Sequence, residues 1–176
     1  MKFKTERLEI KKPVDEDKQE LINELNCWEV CKFLTNVPHP YSNRDAEYWL
    51  KVTNESKFQS NIFYKKSLIG GVGFKQVKLN SYELGYWIAY EKWGNGYATE
   101  AVTGALSYLE KDNNCDIFAN YLVGNSASAN VLLKTGFRVF GKGNLFSISQ
   151  NKTMPCVRLK YRISTPLAGV YPALKL

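Results

Sequence analysis

At 176 residues, with 44% hydrophobic and 14% aromatic content, the chain is long enough to bury one core and too apolar to be disordered. No run approaches membrane-spanning length and Met1–Arg7 holds no apolar stretch, so a membrane protein is not expected and a cytoplasmic one is. The formal charge of +7 suits a partner bearing phosphates, without choosing among a cofactor, RNA and a ribonucleoprotein.

Arg7-Leu8-Glu9-Ile10-Lys11 alternates and predicts a first strand, ended by Pro13. Asp15 to Leu25 predicts a helix, with acids in its first turn and Leu21, Ile22, Leu25 and Trp28 at helical spacing. A short helix over Glu29–Leu34 and the loop Pro38-His39-Pro40-Tyr41-Ser42 follow. A third helix then runs through Ala46, Trp49, Leu50 and Val52, capped by Ser42 or Asn43. Such helices either roof a substrate groove or only cover the sheet. Asn61–Lys65 and Leu68–Lys78 predict two strands about a Lys65-Lys66-Ser67 turn, and Gly70, Gly71 and Gly73 mark a bulge or a close backbone approach.

Tyr82 to Leu109 carries the most chemistry. A strand over Glu83–Ala89 is followed by the turn Trp93-Gly94-Asn95-Gly96-Tyr97. A helix then starts near Ala98, with Ala98, Ala101, Val102, Ala105, Leu106 and Leu109 on one face. A helix start leaves amides without partners and a partial positive charge, and glycines before it let an anion reach them. The same two glycines would also serve a plain tight connection. The pattern is not of the Walker type, and Thr99 stands where a dinucleotide fingerprint has its third glycine.

Asp112-Asn113-Asn114 breaks the pattern and Ile117–Leu122 predicts another strand. A helix from Gly124-Asn125-Ser126 runs through Thr135 and stops at Gly136. Phe137–Phe140 and Cys156–Ile163 predict the last two strands, joined by a polar connection over Gly141–Thr153. The whole is a single α/β domain over residues 1–163 with a central mixed sheet, followed by a tail over 164–176. Cys27, Cys31, Cys115 and Cys156 are expected to be free thiols. Cys27, Cys31 and the single histidine, His39, do not make a zinc ligand set, and no metal is expected.

Tyr86-Trp87-Ile88 followed by Trp93-Gly94-Asn95-Gly96-Tyr97-Ala98-Thr99-Glu100-Ala101 resembles the acetyl-CoA loop of the GNAT superfamily of N-acetyltransferases. Asn125-Ser126-Ala127-Ser128, then Val131-Leu132-Leu133-Lys134-Thr135-Gly136-Phe137, resembles the N-x-x-S…K-x-G-F motif of its ribosomal-protein-alanine acetyltransferase (RimJ/RimL type) branch. Thr5-Glu6-Arg7-Leu8 resembles that branch's opening. The resemblance implies the GNAT acyl-CoA N-acyltransferase fold, a central, mostly antiparallel sheet flanked by helices. It also implies acetyl-CoA as co-substrate and a primary amine as acceptor, foremost a protein N-terminal α-amine, ribosomal proteins being one class within it. A polyamine or aminoglycoside is the alternative acceptor, and a non-catalytic CoA- or RNA-binding module is the alternative of another class. Direct nucleic-acid binding is not expected, because Tyr and Phe fall on strand patterns that a core explains.

The implied diphosphate site is Trp93, Gly94, Asn95, Gly96, Tyr97 and Ala98, with Thr99 in the first helical turn. The pantetheine arm would pair with Ile88, Ala89 and Tyr90, where a bulge would aim an amide at the acetyl carbonyl. Asn125 and Ser128 would approach the arm near its sulfur, or else simply cap a helix. Three positions depart from the family's habit. Trp93 stands where Gln or Arg is common, Asn95 where a basic residue is frequent, and Leu132 where many members place a tyrosine acid. The last leaves Ser128 as the expected proton donor or hydrogen-bond partner of the thiolate. Glu83 is the candidate general base, or else a solvated strand-end carboxylate, and Glu100 reads as a first-turn helix acid.

Overall fold

The structure, a computed structural model, describes residues 1–110 and 115–161. The expected break at Asp112–Asn114, the end of the Cys156–Ile163 strand and the tail lie outside the described residues.

Two short strands, β1 (Phe3–Lys4) and β2 (Leu8–Lys11), come first. A 3₁₀ turn at Asp15–Asp17 leads into α1 (Lys18–Leu25), followed by α2 (Trp28–Cys31) and α3 (Asn43–Glu55). Next are β3 (Gln59–Tyr64), β4 (Ser67–Lys78), β5 (Ser81–Ile88) and α4 (Tyr97–Glu110). The chain continues through β6 (Asp116–Leu122), α5 (Ser126–Lys134), β7 (Phe137–Ser147) and β8 (Lys152–Tyr161). The strands form one sheet in the order β1-β2-β3-β4-β5-β6-β8-β7, in which β5 and β6 run parallel and the other neighbours antiparallel.

Strand alternation sorts the apolar residues to two faces. Ile10, Ile62, Leu84 and Ile88 pack with Ala101, Val102, Ala105, Leu106 and Leu109 of α4. Phe63 and Leu68, with Trp87 at the margin, pack instead with Leu21, Leu25, Val30 and Leu50 of the first three helices. No described helix is long and apolar enough to cross a membrane.

Ser42 rather than Asn43 caps α3: its hydroxyl accepts from the Asp45 amide at 3.3 Å while the Asp45 carboxylate accepts from the Ser42 amide at 2.8 Å. At the other end Lys12 Nζ donates to the carbonyls of Thr53, Ser56 and Gln59, binding the helix C-terminus to the segment that enters β3. Lys12→Met keeps the aliphatic stem and strands those carbonyls. A loss of about 1–2 kcal/mol, or a melting point lower by about 2–8 °C, is expected by scanning calorimetry.

One expectation needs correction. The segment Gly141–Thr153 is not an irregular connection but most of a long hairpin, with β7 registered against β8 from Phe137–Tyr161 to Ser147–Lys152. Its inward positions from 141 onward are Gly141, Gly143, Leu145 and Ser147, so the alternation carries almost no apolar signal. The Arg158 guanidinium crosses Gly143, with Nε 2.7 Å from where a Cβ would stand, so a side chain there would displace it. The bulge or close backbone approach expected among the glycines of β4 is present: its register with β3 shifts between Ile62, opposite Gly70, and Phe63, opposite Leu68, and a Cβ on Gly70 would fall 2.3 Å from the Trp87 carbonyl oxygen.

Candidate active site

β5 and β6 stay in register from Ser81–Asp116 to Leu84–Ala119 and then part. β5 continues to Ile88 against β4, and β6 to Leu122 against β8. Alternation decides which backbone groups face the gap. The Ala89 amide turns toward β4, donating to the Ile69 carbonyl at 2.8 Å. The N–H and C=O groups of Tyr86 and Ile88 therefore point the other way, into the gap. The Ile88 carbonyl is already held by Trp93 Nε1 at 2.7 Å.

The bulge expected at Ile88–Tyr90 is absent. The β4–β5 register runs unbroken from Gly70–Ile88 to Gln76–Tyr82, because every β5 residue in that run finds a partner on β4. Tyr90 then enters a 3₁₀ turn with its ring against Trp93, so of Ile88, Ala89 and Tyr90 it is Ile88 that keeps a group facing the gap.

The gap leads to the glycine turn. Gly94 and Gly96 have φ of +76° and +78°, the left-handed region where a side chain is strained. The Glu100 amide closes the first bond of α4 on the Gly96 carbonyl at 3.0 Å, so the amides of Tyr97, Ala98 and Thr99 have no acceptor within the helix. A Cβ on Gly94 would meet nothing within 4 Å. These donors and the helix dipole fit an anionic group resting on the turn.

A brace behind the turn was hidden in the sequence. Arg7 Nη1 donates to the Asn95 carbonyl at 3.0 Å and Arg7 Nε to Glu100 Oε2 at 2.7 Å. The other Glu100 oxygen accepts from the Arg7 amide at 2.8 Å and the Thr5 hydroxyl at 2.5 Å. The guanidinium lies over the Tyr97 ring, 4.7 Å from its centre. Partial burial opposes ionisation of Glu100, but the Thr5 hydroxyl and the Arg7 amide and guanidinium outweigh it and hold the carboxyl below its usual range. Glu100 is thus the hub of this brace and more than a first-turn acid. The Asn95 side chain folds back onto the Lys92 and Trp93 carbonyls, at 3.2 and 3.0 Å, so Arg7 brings to the turn the positive charge that Asn95 does not.

On the far wall of the gap, Asn125 caps α5 by accepting from the Ser128 amide at 3.0 Å. The Ser128 hydroxyl stands 2.8 Å from that of Tyr86, across from β5. Leu132, where an acid was missing, is wholly buried in the core. Glu83 sits in the still-paired root of β5, opposite Lys75 and Phe118, half-buried. It shares a face with Gly85 and Trp87, whereas Tyr86 and Ser128 belong to the opposite one. A Cβ on Gly85 would meet nothing within 4 Å, which leaves open space beside Glu83. Sequence reading also missed Glu24 of α1. Burial, then the charges of Glu91 and Glu20, raise its carboxyl above the usual range against the pull of Lys92.

A family model described as the acetyltransferase (GNAT) domain matches residues 7–138. The chain belongs to the GNAT acetyltransferase family. It is 32% identical over 103 residues to the [Ribosomal protein uS5]-alanine N-acetyltransferase of Escherichia coli (strain K12), a match covering 52% of this chain and 53% of that protein. The chain thus spans about half the length of that curated relative. The acetyltransferase (GNAT family) from Bacillus anthracis superposes with a TM-score of 0.80 at 22% identity, covering 91% of this chain and 97% of that one. The spermidine N-acetyltransferase from Vibrio cholerae, solved with CoA and spermine, gives 0.72 at 20% identity over 88% and 94%. The eight-stranded, mostly antiparallel sheet with flanking helices is the GNAT fold.

Proposed function

We propose that this protein transfers the acetyl group of acetyl-CoA to a primary amine, and that the acceptor is the N-terminal α-amine of a protein, with ribosomal proteins the first to test. The carrying observation is the gap between β5 and β6 that runs into the glycine turn. Backbone groups along it suit an extended, amide-bearing arm, and unpaired helix-start amides suit a diphosphate. Trp93, Gly94, Asn95, Gly96, Tyr97, Ala98 and Thr99 are proposed around the diphosphate, and Ile88 along the arm with Ala89 and Tyr90 at its border. Asn125 and Ser128 are proposed near the sulfur. The free thiols of Cys27, Cys31 and Cys156 support a reducing compartment, the cytoplasm, and residues 1–163 are proposed as one domain with 164–176 as a tail.

The proposed chemistry is direct displacement within one complex. The neutral amine nitrogen bonds to the thioester carbon, and a backbone N–H facing the gap meets the oxyanion. Collapse breaks the C–S bond, its electron pair passing to sulfur, which accepts a hydrogen bond from Ser128. The surplus proton on nitrogen passes to Glu83. Because Glu83 and Ser128 belong to opposite faces of the sheet, amine entry and thiolate departure are kept apart. At neutral pH, freeing an α-amine of its proton costs about 1.4 kcal/mol and a lysine about 4.6, so a single half-buried carboxylate suits the former.

Consumption of acetyl-CoA against peptides with free or blocked N-termini, polyamines and aminoglycosides tests this reading. Turnover with free-N-terminal peptides is expected. CoA binding without turnover on any amine would favour the non-catalytic module. Glu24, whose carboxyl feels the charges of Glu91 and Glu20 against that of Lys92, supports a second acceptor reading, a small polycationic amine drawn to negative charge on a basic protein. On that reading Glu24→Gln raises KM for polyamines by about five- to tenfold and leaves peptide kinetics alone; equal KM values would remove it.

A further inference from the structure

Tyr86 reaches from β5 across to α5 just where β6 has parted from β5. Its hydroxyl lies 2.8 Å from Ser128 Oγ and 3.2 Å from the Ser128 carbonyl oxygen. The phenol has one proton and two acceptors to choose between. The Ser128 carbonyl stands four residues before Leu132 within α5, where the helix supplies a donor of its own, and Oγ is the nearer of the two. Burial, outweighing the bond to Ser128, pushes the Tyr86 hydroxyl up to about 12, so it is protonated at neutral pH and available as a donor.

A proton donated by Tyr86 to Ser128 Oγ fills an acceptor position on that hydroxyl. The serine proton then cannot also lie along the same line and turns toward the gap. Asn125, by holding the Ser128 amide at 3.0 Å, fixes the turn of α5 from which the hydroxyl projects. We propose that Tyr86 is a positioning residue for acetyl transfer: its hydroxyl donates to Ser128 Oγ and so directs the serine proton at the thioester sulfur. The inference rests on the acetyl-transfer reading above. No proton leaves Tyr86. As the C–S bond breaks, the electron pair goes to sulfur, the sulfur accepts the Ser128 hydrogen bond, and the nitrogen's proton goes to the carboxylate base.

Tyr86→Phe keeps the ring and removes the donor; Ser128→Ala removes the hydroxyl it serves. Both variants and their combination are compared with the unaltered protein by thermal melting, calorimetry with CoA, steady-state kinetics and ultraviolet titration of the bound CoA thiolate. All are expected to bind CoA within about twofold of one another, while kcat falls about tenfold in each single variant and no further in the double, as for two groups acting as one unit. The bound thiol is expected to ionise at higher pH in Tyr86→Phe, by about as much as in Ser128→Ala, which a purely structural role would not produce. Unchanged kcat and thiol titration in Tyr86→Phe, with CoA bound normally, would overturn the inference alone. So would losses that multiply in the double variant. Failure of the unaltered protein to bind CoA would overturn the acetyl-transfer reading and this inference with it.

Discussion

Replacing Gly96 by Trp is expected to weaken acetyl-CoA binding by about a hundredfold or more, measured by calorimetry, while the protein stays folded. The residue has φ of +78°, so any side chain there pulls the backbone toward another conformation, and residues 94–96 are exposed, so the relaxation is local. The amides of Tyr97, Ala98 and Thr99 lose their common aim when the turn shifts. Two charge-assisted bonds lost, at about 1.5–3 kcal/mol each, suffice for the predicted change. The indole would also crowd Arg7, whose Nη2 lies 3.5 Å from the added Cβ. Gly96→Ala should show the strain without the bulk and a smaller loss. Unchanged affinity in Gly96→Trp would mean that no diphosphate rests on this turn.

Glu100→Ala should cut the brace that joins the start of the chain to that turn. The carboxylate is 16% exposed and accepts from the Thr5 hydroxyl, the Arg7 amide and the Arg7 guanidinium. Taken at face value three such bonds exceed the whole effect expected, because water replaces part of each at an exposed partner. About 2 kcal/mol remains, a fall in melting temperature of about 4–8 °C. The pH dependence follows from the lowered carboxyl. A depressed folded-state value contributes stability above the unfolded value of about 4.3, and that stability is lost as pH falls through the folded value below it. The unaltered protein should therefore weaken in acid over that window and Glu100→Ala should lack this part of the loss. Parallel acid titrations of the two would show that the brace carries no stability.

Local signals read well. The strand, turn and helix over β5 and α4, the Ser42 cap and the glycine that ends α5 all depend on neighbours within a few residues. Gly136 adopts φ of +99° as a helix-ending residue should. The missed features join distant residues. Thr5 and Arg7 meet Glu100, and Tyr86 meets Ser128, and no spacing rule ties such pairs. The β7–β8 hairpin was missed for another reason: two glycines and a serine take most of its inward positions from 141 onward, so the period of two exists in the backbone but hardly in the hydropathy.

The tip of that hairpin is fastened to the segment around the end of α2. Ile148 donates to the Thr35 carbonyl at 2.9 Å, Ser149 to that of Cys31 at 3.0 Å and Gln150 to that of Lys32 at 2.7 Å. Sheet edge and helical layer thereby close into a ring, and neither wall can swing outward without the other. Parting the hairpin tip from the helical layer would rupture these ties, at about 0.5–1.5 kcal/mol apiece.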